Sequence, residues 1–298
     1  MARLTGAPLI VASVRAQAPI VGIDPEGTLP YGIAHVDDDL LADCTEAVNQ
    51  VDTQLRALGV GVDCRIYSST SAARALHEAA EEEDAGLLVV GSSSRSKVGR
   101  VLAGSTAQRL LNGSPCPVAV VPGSWKDEGL PPRTIGVGYV DTPEALEALR
   151  GGYALAKRAG ATLRVITVVK LTLSMYAETE TYVAGQFGKD REDVEGEHRL
   201  FAERELRRVV EQELDDDVPV EAEAVVGEPA ELLVDISRNL DLLVCGSRGY
   251  GPVRGVLLGS VSRQVVEEAY CPVVVLPRGV KASLQALLQE APGAATPA

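Results

Sequence analysis

Gly246-x2-Gly249-x9-Gly259-Ser260 is the spacing in this chain most able to do chemistry. It follows an apolar run, Leu242 to Cys245, and precedes a helical pattern in Val261, Val265, Val266 and Ala269. Strand, glycine-rich turn and capped helix together hold an anionic group against backbone N–H donors. Glycines let a ligand approach the main chain closely. Ser260 is predicted as the helix N-cap, which puts the amides of Val261 and Ser262 at the positive end of the helix dipole. Asp141, at the end of an earlier predicted strand, is the second candidate. A carboxylate there could accept from ribose hydroxyls or an adenine amine. It could equally start the turn at Thr142-Pro143 and cap the next helix.

Rival chemistries lack their residues. The chain has no G-x4-G-K-[ST] phosphate loop and no G-x-S-x-G nucleophile elbow, and Gly249-Tyr-Gly251-Pro-Val-Arg254 breaks a dinucleotide fingerprint at its last position. His35, His77 and His198 are isolated and read as surface or helix-face residues. The acidic runs Asp37–Asp39, Glu81–Asp84 and Asp215–Asp217 read as solvated helix ends rather than a metal cluster. No catalytic residue and no metal ligand is assigned.

The elements that must position these residues come from a duplication. Gly91 and Gly246, Gly104 and Gly259, and Cys116 and Cys271 are each 155 residues apart within matching stretches. The second copy is predicted as strand 134–140, helix 143–159, strand 162–169, helix about 193–214, strand 218–226, helix 229–239, strand 241–246, helix 260–270 and strand 272–276. The first copy reads as strand 8–14, loop to about 37, helix 38–58, strand 60–67, helix 71–83, strand 86–91, helix from about 105 and strand 117–121. It has no counterpart of the strand and helix over 134–159. Pro19–Asp24 looks like such an opening strand, but it follows strand 8–14 and precedes Pro25, Gly27 and Pro30, so it is read as loop. The opening strand is central in such a fold, so its absence should leave a hole with unpaired backbone groups. Either the start is assigned too late, or a neighbouring chain fills the gap, or this half is distorted; we favour a shortened gene model, with an upstream segment encoding the strand.

Alternating strands and helices imply parallel sheets covered on both faces, with ligands beyond the strands' C-terminal ends where strand order reverses. The turns after 140 and 246 are therefore expected to meet. A length of 298 residues supports two cores, and 46 % hydrophobic with 4 % aromatic residues makes them aliphatic. A formal charge of −14 opposes nucleic-acid and anionic-membrane binding. No apolar run approaches the roughly 20 residues of a membrane span, and Leu9–Val14 is short for a signal peptide. Five dispersed cysteines point to a reducing compartment, with Cys116 and Cys271 as buried structural thiols.

The G-x2-G-x9-G-[ST] spacing, complete in the second copy, resembles the universal stress protein family, whose ATP-binding members carry it in a doubly wound fold. The resemblance implies an α/β chain of two tandem, Rossmann-like, adenine nucleotide alpha hydrolase-like domains with parallel sheets, the first lacking its initial strand and helix. Their extents would be 1–124 and 131–279, with a largely disordered tail over 280–298. Tyr139 and Asp141 would line an adenosine pocket walled by Val168 and Cys245; Gly246, Gly249, Gly259, Ser260, Val261 and Ser262 would enclose the phosphates. In the first copy Gly91, Gly104, Ser105 and Thr106 correspond, but Ser94 replaces the second glycine and the Asp turn is missing, which puts a nucleotide there in question.

The function implied is a cytoplasmic stress-response regulator that binds ATP, with or without Mg2+, and is not an enzyme. No general base can be named, so any ATP hydrolysis would be slow. The alternatives are an ATP-hydrolysing or adenylate-handling enzyme on the same fold, and a nucleotide-free dimerisation scaffold. The resemblance also implies a homodimer, and pairing through the last strands, 117–121 and 272–276.

Overall fold

Thr142 and Pro143 start the helix on which the second copy is built. The Thr142 hydroxyl accepts from the Ala145 amide at 3.2 Å, and Pro143 fills the first helical position, where no N–H is needed. Helix Pro143–Ala159 buries Ala145, Ala148, Leu149, Leu155 and Ala156, and carries Lys157 and Arg158 in its last turn. A Cβ on Gly152 would lie 2.4 Å from Val137 Cγ2, so this glycine lets the helix rest directly on the strand beneath it. The computed structural model describes residues 2–17, 31–92, 104–126, 129–172, 191–247, 258–277 and 284, with 31–39 and 191 in backbone only.

In chain order the elements are α1 (Ala2–Thr5), β1 (Leu9–Ala16), α2 (Tyr31–Ala57), β2 (Val62–Ser69), α3 (Ala72–Glu82), β3 (Leu88–Gly91), α4 (Ser105–Leu111) and β4 (Val118–Val121). The second copy supplies β5 (Thr134–Gly138), α5 (Pro143–Ala159), β6 (Thr162–Val169), α6 (Arg191–Glu213), β7 (Val220–Val226), α7 (Pro229–Ile236), β8 (Leu242–Gly246), α8 (Ser260–Glu268) and β9 (Val273–Leu276). A 3₁₀ turn, Ser237–Asn239, extends α7. One expectation is corrected. The loop predicted to about 37 is helix from Tyr31, because a helix can begin directly after a proline. A short turn, α1, precedes β1. Pro19–Asp24, Ser94, Gly249 and, apart from Leu284, the tail beyond 280 lie outside the described residues.

Seven strands form one sheet in the order β3-β4-β9-β8-β5-β6-β7. Every neighbouring pair is parallel except β4 and β9, which run antiparallel with Val118 opposite Val275. The last strands of the two copies thus pair within the chain. In the second copy the chain runs outward from β5 through β6 to β7, then returns to β8 on the other side of β5. Asp241 fastens that return: its carboxylate accepts from the amides of Arg133 and Thr134 at 2.7 and 2.9 Å. Ile135, Val137, Leu149, Leu155, Leu163 and Leu243 are fully buried in this half, each adding about 1.5–3 kcal/mol by leaving water.

The first copy is divided. β1 and β2 form a separate two-stranded parallel sheet, while β3 and β4 belong to the large one. The repeat explains the division. β5 lies between β8 and β6, whose counterparts are β3 and β1, and among the described residues the first copy has no strand to bridge that pair. The chain accordingly separates into two compact units, Met1–Ala85 and Gly86–Leu288. Matched residues register the loss: Val244 in β8 is fully buried, whereas Val89, at the same place in β3, is 53 % exposed.

Candidate functional site

Strand order reverses between β5 and β8, so the C-terminal ends of these strands are where a ligand crevice forms in a doubly wound sheet. β5 ends in Tyr139-Val-Asp141. The Tyr139 amide donates to the Ile166 carbonyl at 2.8 Å, and the Tyr139 carbonyl accepts from the Thr167 hydroxyl at 3.0 Å, which ties this end to β6. Burial pushes the Tyr139 phenol above its ordinary value, and the carboxylates of Asp141 and Glu213 push the same way. The helix cap falls to Thr142, not Asp141. Asp141 is exposed and, among the described residues, its carboxylate makes no hydrogen bond or ion pair.

β8 ends at Gly246, which the fold brings against the first turn of α5. A Cβ on Gly246 would stand 3.0 Å from the Glu144 carbonyl carbon, 3.1 Å from its oxygen and 3.2 Å from the Ala145 nitrogen. These are backbone atoms that cannot swing aside. The end of β8 therefore meets the start of α5 at Gly246. Cys245, one residue back, is buried and its thiol is pushed up to about 12 by burial. Val168, in β6 opposite Val225, is half-buried.

Hydrogen bonds tie Gly259 and Ser262 to the end of β8. The Gly259 amide donates to the Ser247 carbonyl at 2.6 Å, the Ser262 hydroxyl donates to the Gly246 carbonyl at 2.8 Å, and the Ser247 amide donates to the Leu276 carbonyl at 2.9 Å. The N-cap of α8 is Gly259, at φ −62° and ψ 154°, rather than Ser260 as its hydroxyl suggested. A glycine cap brings no side-chain acceptor, so the helix start is left uncapped. Ser260, Val261 and Ser262 form the first turn, and among the described residues their amides donate to no protein acceptor. Two helix starts, α5 and α8, thus converge on Gly246; among the described residues Asp141, just before α5, has an unbonded carboxylate, and the first three amides of α8 donate to no protein acceptor.

The first copy does not assemble this arrangement. Gly91 ends β3, Gly104 caps α4, and Ser105 and Thr106 begin that helix. Ala107 occupies the place of Ser262 and has no hydroxyl to bind the strand end. Among the described residues nothing within 4 Å would meet a Cβ on Gly91. One contact at the second copy's site is invisible in the sequence: the Leu258 amide donates at 2.9 Å to Oδ1 of Asn112, which belongs to the first copy. A separation of 146 residues offers no motif to find it by.

Comparison with known proteins agrees with this architecture. The universal stress protein family model matches residues 1–122 and again 132–277. The universal stress protein Rv2319c of Mycobacterium tuberculosis is 28 % identical over 242 residues, covering 78 % of each chain. Rv2005c of the same organism is 33 % identical over 196 residues, covering 64 % of this chain and 62 % of the relative's own length. Among solved structures, a universal stress protein of Archaeoglobus fulgidus superposes with a TM-score of 0.58 at 22 % identity, over 85 % of this chain and 84 % of that one. PA1789 of Pseudomonas aeruginosa, a protein of unknown function, gives 0.58 at 16 % identity, over 97 % and 99 %. The structural likenesses are of fold. With the family model matching both halves, the chain belongs to the universal stress protein family, as a tandem of two copies.

Proposed function

We propose that the second copy binds ATP and that the protein works as a nucleotide-responsive regulator in the stress response rather than as an enzyme. The observation that carries this reading is the convergence on Gly246. Three uncommitted amides of α8 offer a seat for phosphate oxygens, and an acidic protein with few cations has need of such a seat. Asp141, exposed and without a bond among the described residues, suits the ribose hydroxyls or the adenine amine, with Tyr139, Val168 and Cys245 as flanking walls. Gly246, Gly259, Ser260, Val261 and Ser262 would surround the phosphates; Mg2+ would arrive with the triphosphate. The bound nucleotide supplies negative charge and order to the start of α8, and the protein's response is a change of conformation or partner. The five free cysteines suit the reducing cytoplasm.

The test is titration calorimetry with ATP on the native chain and on Gly259→Val. The backbone of Gly259 is extended, a conformation any residue adopts, so a larger residue adds no backbone strain there and places its bulk before the amides. Binding by the native chain and a loss of at least about tenfold, or about 1.4 kcal/mol, in the variant is the expected result. Equal affinity removes the phosphates from this site.

A further inference from the structure

The antiparallel pairing of β4 with β9 carries α4 of the first copy alongside α8 of the second. Two side chains of α4 cross that seam. Gln108 Nε2 donates to Glu267 Oε1 at 3.1 Å, an exposed contact. Asn112, the residue closing α4, is different: its Nδ2 donates to the Gln108 carbonyl at 2.8 Å, and its Oδ1 accepts from the Leu258 amide at 2.9 Å. The first bond occupies the donor end of the side chain and so directs the acceptor end at Leu258.

Leu258 is 7 % exposed, so its amide has little access to water and needs a protein acceptor. The next amide, Gly259, is held by the Ser247 carbonyl. Two consecutive N–H groups are therefore fixed just before the three that stand free at the start of α8. Fixing them sets the path of the chain into the helix before any ligand arrives, which lowers the ordering cost that binding would otherwise meet. The link runs one way: the second-copy residue matching Asn112 is Glu267, which is engaged with Gln108.

We infer that Asn112 is a positioning residue for the phosphate seat of the second copy, so that the first copy serves nucleotide binding by holding Leu258 and Gly259 in place rather than by holding a nucleotide. This rests on the reading of the α8 amides as that seat. It assigns the first copy a role that survives the loss of its own opening strand.

The experiment is calorimetry with ATP and, separately, adenosine on the full chain, on Asn112→Ala and on Gln108→Ala. Asn112→Ala should weaken ATP about tenfold, equal to about 1.4 kcal/mol, and leave adenosine affinity unchanged. Gln108→Ala breaks the other side-chain bond across the seam and should leave both ligands unchanged. Equal ATP affinity in Asn112→Ala and the native chain, or equal losses for ATP and adenosine, overturns the inference while leaving the nucleotide site standing. Absence of ATP binding by the native chain overturns the site, and the inference with it. Should Asn112→Ala fail to fold, amide exchange on the native chain decides: Leu258 protected before ATP is added supports the positioning role, and protection appearing only with ATP refutes it.

Discussion

Replacing Gly246 by alanine, and Gly91 by alanine as its partner experiment, should move stability in opposite directions although the two positions are equivalent in the repeat. At Gly246 the new Cβ would meet main-chain atoms of Glu144 and Ala145 at 3.0–3.2 Å. Relief requires α5 to move off the end of β8, an overpacking cost of about 1–3 kcal/mol. At Gly91 there is nothing within 4 Å and no positive φ to oppose a side chain, so the loss of unfolded-state freedom should stabilise by about 0.4–1 kcal/mol. Urea titration followed by circular dichroism reads both; a melt should show about 2–4 °C per kcal/mol for a unit of this size. Gly246→Ala should also weaken ATP, since the displaced helix start carries Asp141 away from α8. A neutral Gly246→Ala, or a Gly91→Ala as costly as its counterpart, would refute the claim that only the second copy closes a strand–helix joint around its glycine.

The same asymmetry should appear in the cores. Val244→Ala removes a fully buried side chain and should cost about 2–3 kcal/mol, whereas Val89→Ala, at 53 % exposure, should cost under about 1 kcal/mol; equal losses in urea would contradict the open edge at β3. Asp141→Ala should lower ATP affinity about tenfold with an unchanged melting temperature, because among the described residues the carboxylate makes no bond; a fall in melting temperature with affinity intact would make it structural. Burial holds the thiols of Cys245 and Cys271 neutral, each pushed up from 9.0 to about 12. Their contribution is complete below the unfolded value and is lost as pH rises through that interval, because the unfolded thiols ionise first. Cys245→Ala should therefore flatten the decline of the urea midpoint between about pH 9 and pH 11, and an unchanged slope would show that the thiol carries none of it.

Much of the second copy was legible because its punctuation is local. Thr142, Pro143 and Gly160 bracket α5 at Pro143–Ala159, as predicted, and β6 follows over Thr162–Val169. That the first copy differs at its opening was legible too, and among the described residues its strands divide between two sheets. Where reading failed, a tertiary choice had overruled a local one. Ser260 has the right side chain for an N-cap, yet Gly259 takes that position and it is the Ser262 hydroxyl that reaches Gly246. The reason for Gly246 itself is only partly a matter of ligand approach, since the backbone of α5 already leaves no room for a Cβ. Asn112 could not be read at all, because its partner is reached only after β4 and β9 have paired.

Nucleotide stoichiometry tests the central claim most directly. Purified chain, equilibrated with ATP and analysed by calorimetry for the number of sites, should bind one ATP per chain, at the second copy alone. Two sites, or none, would contradict it.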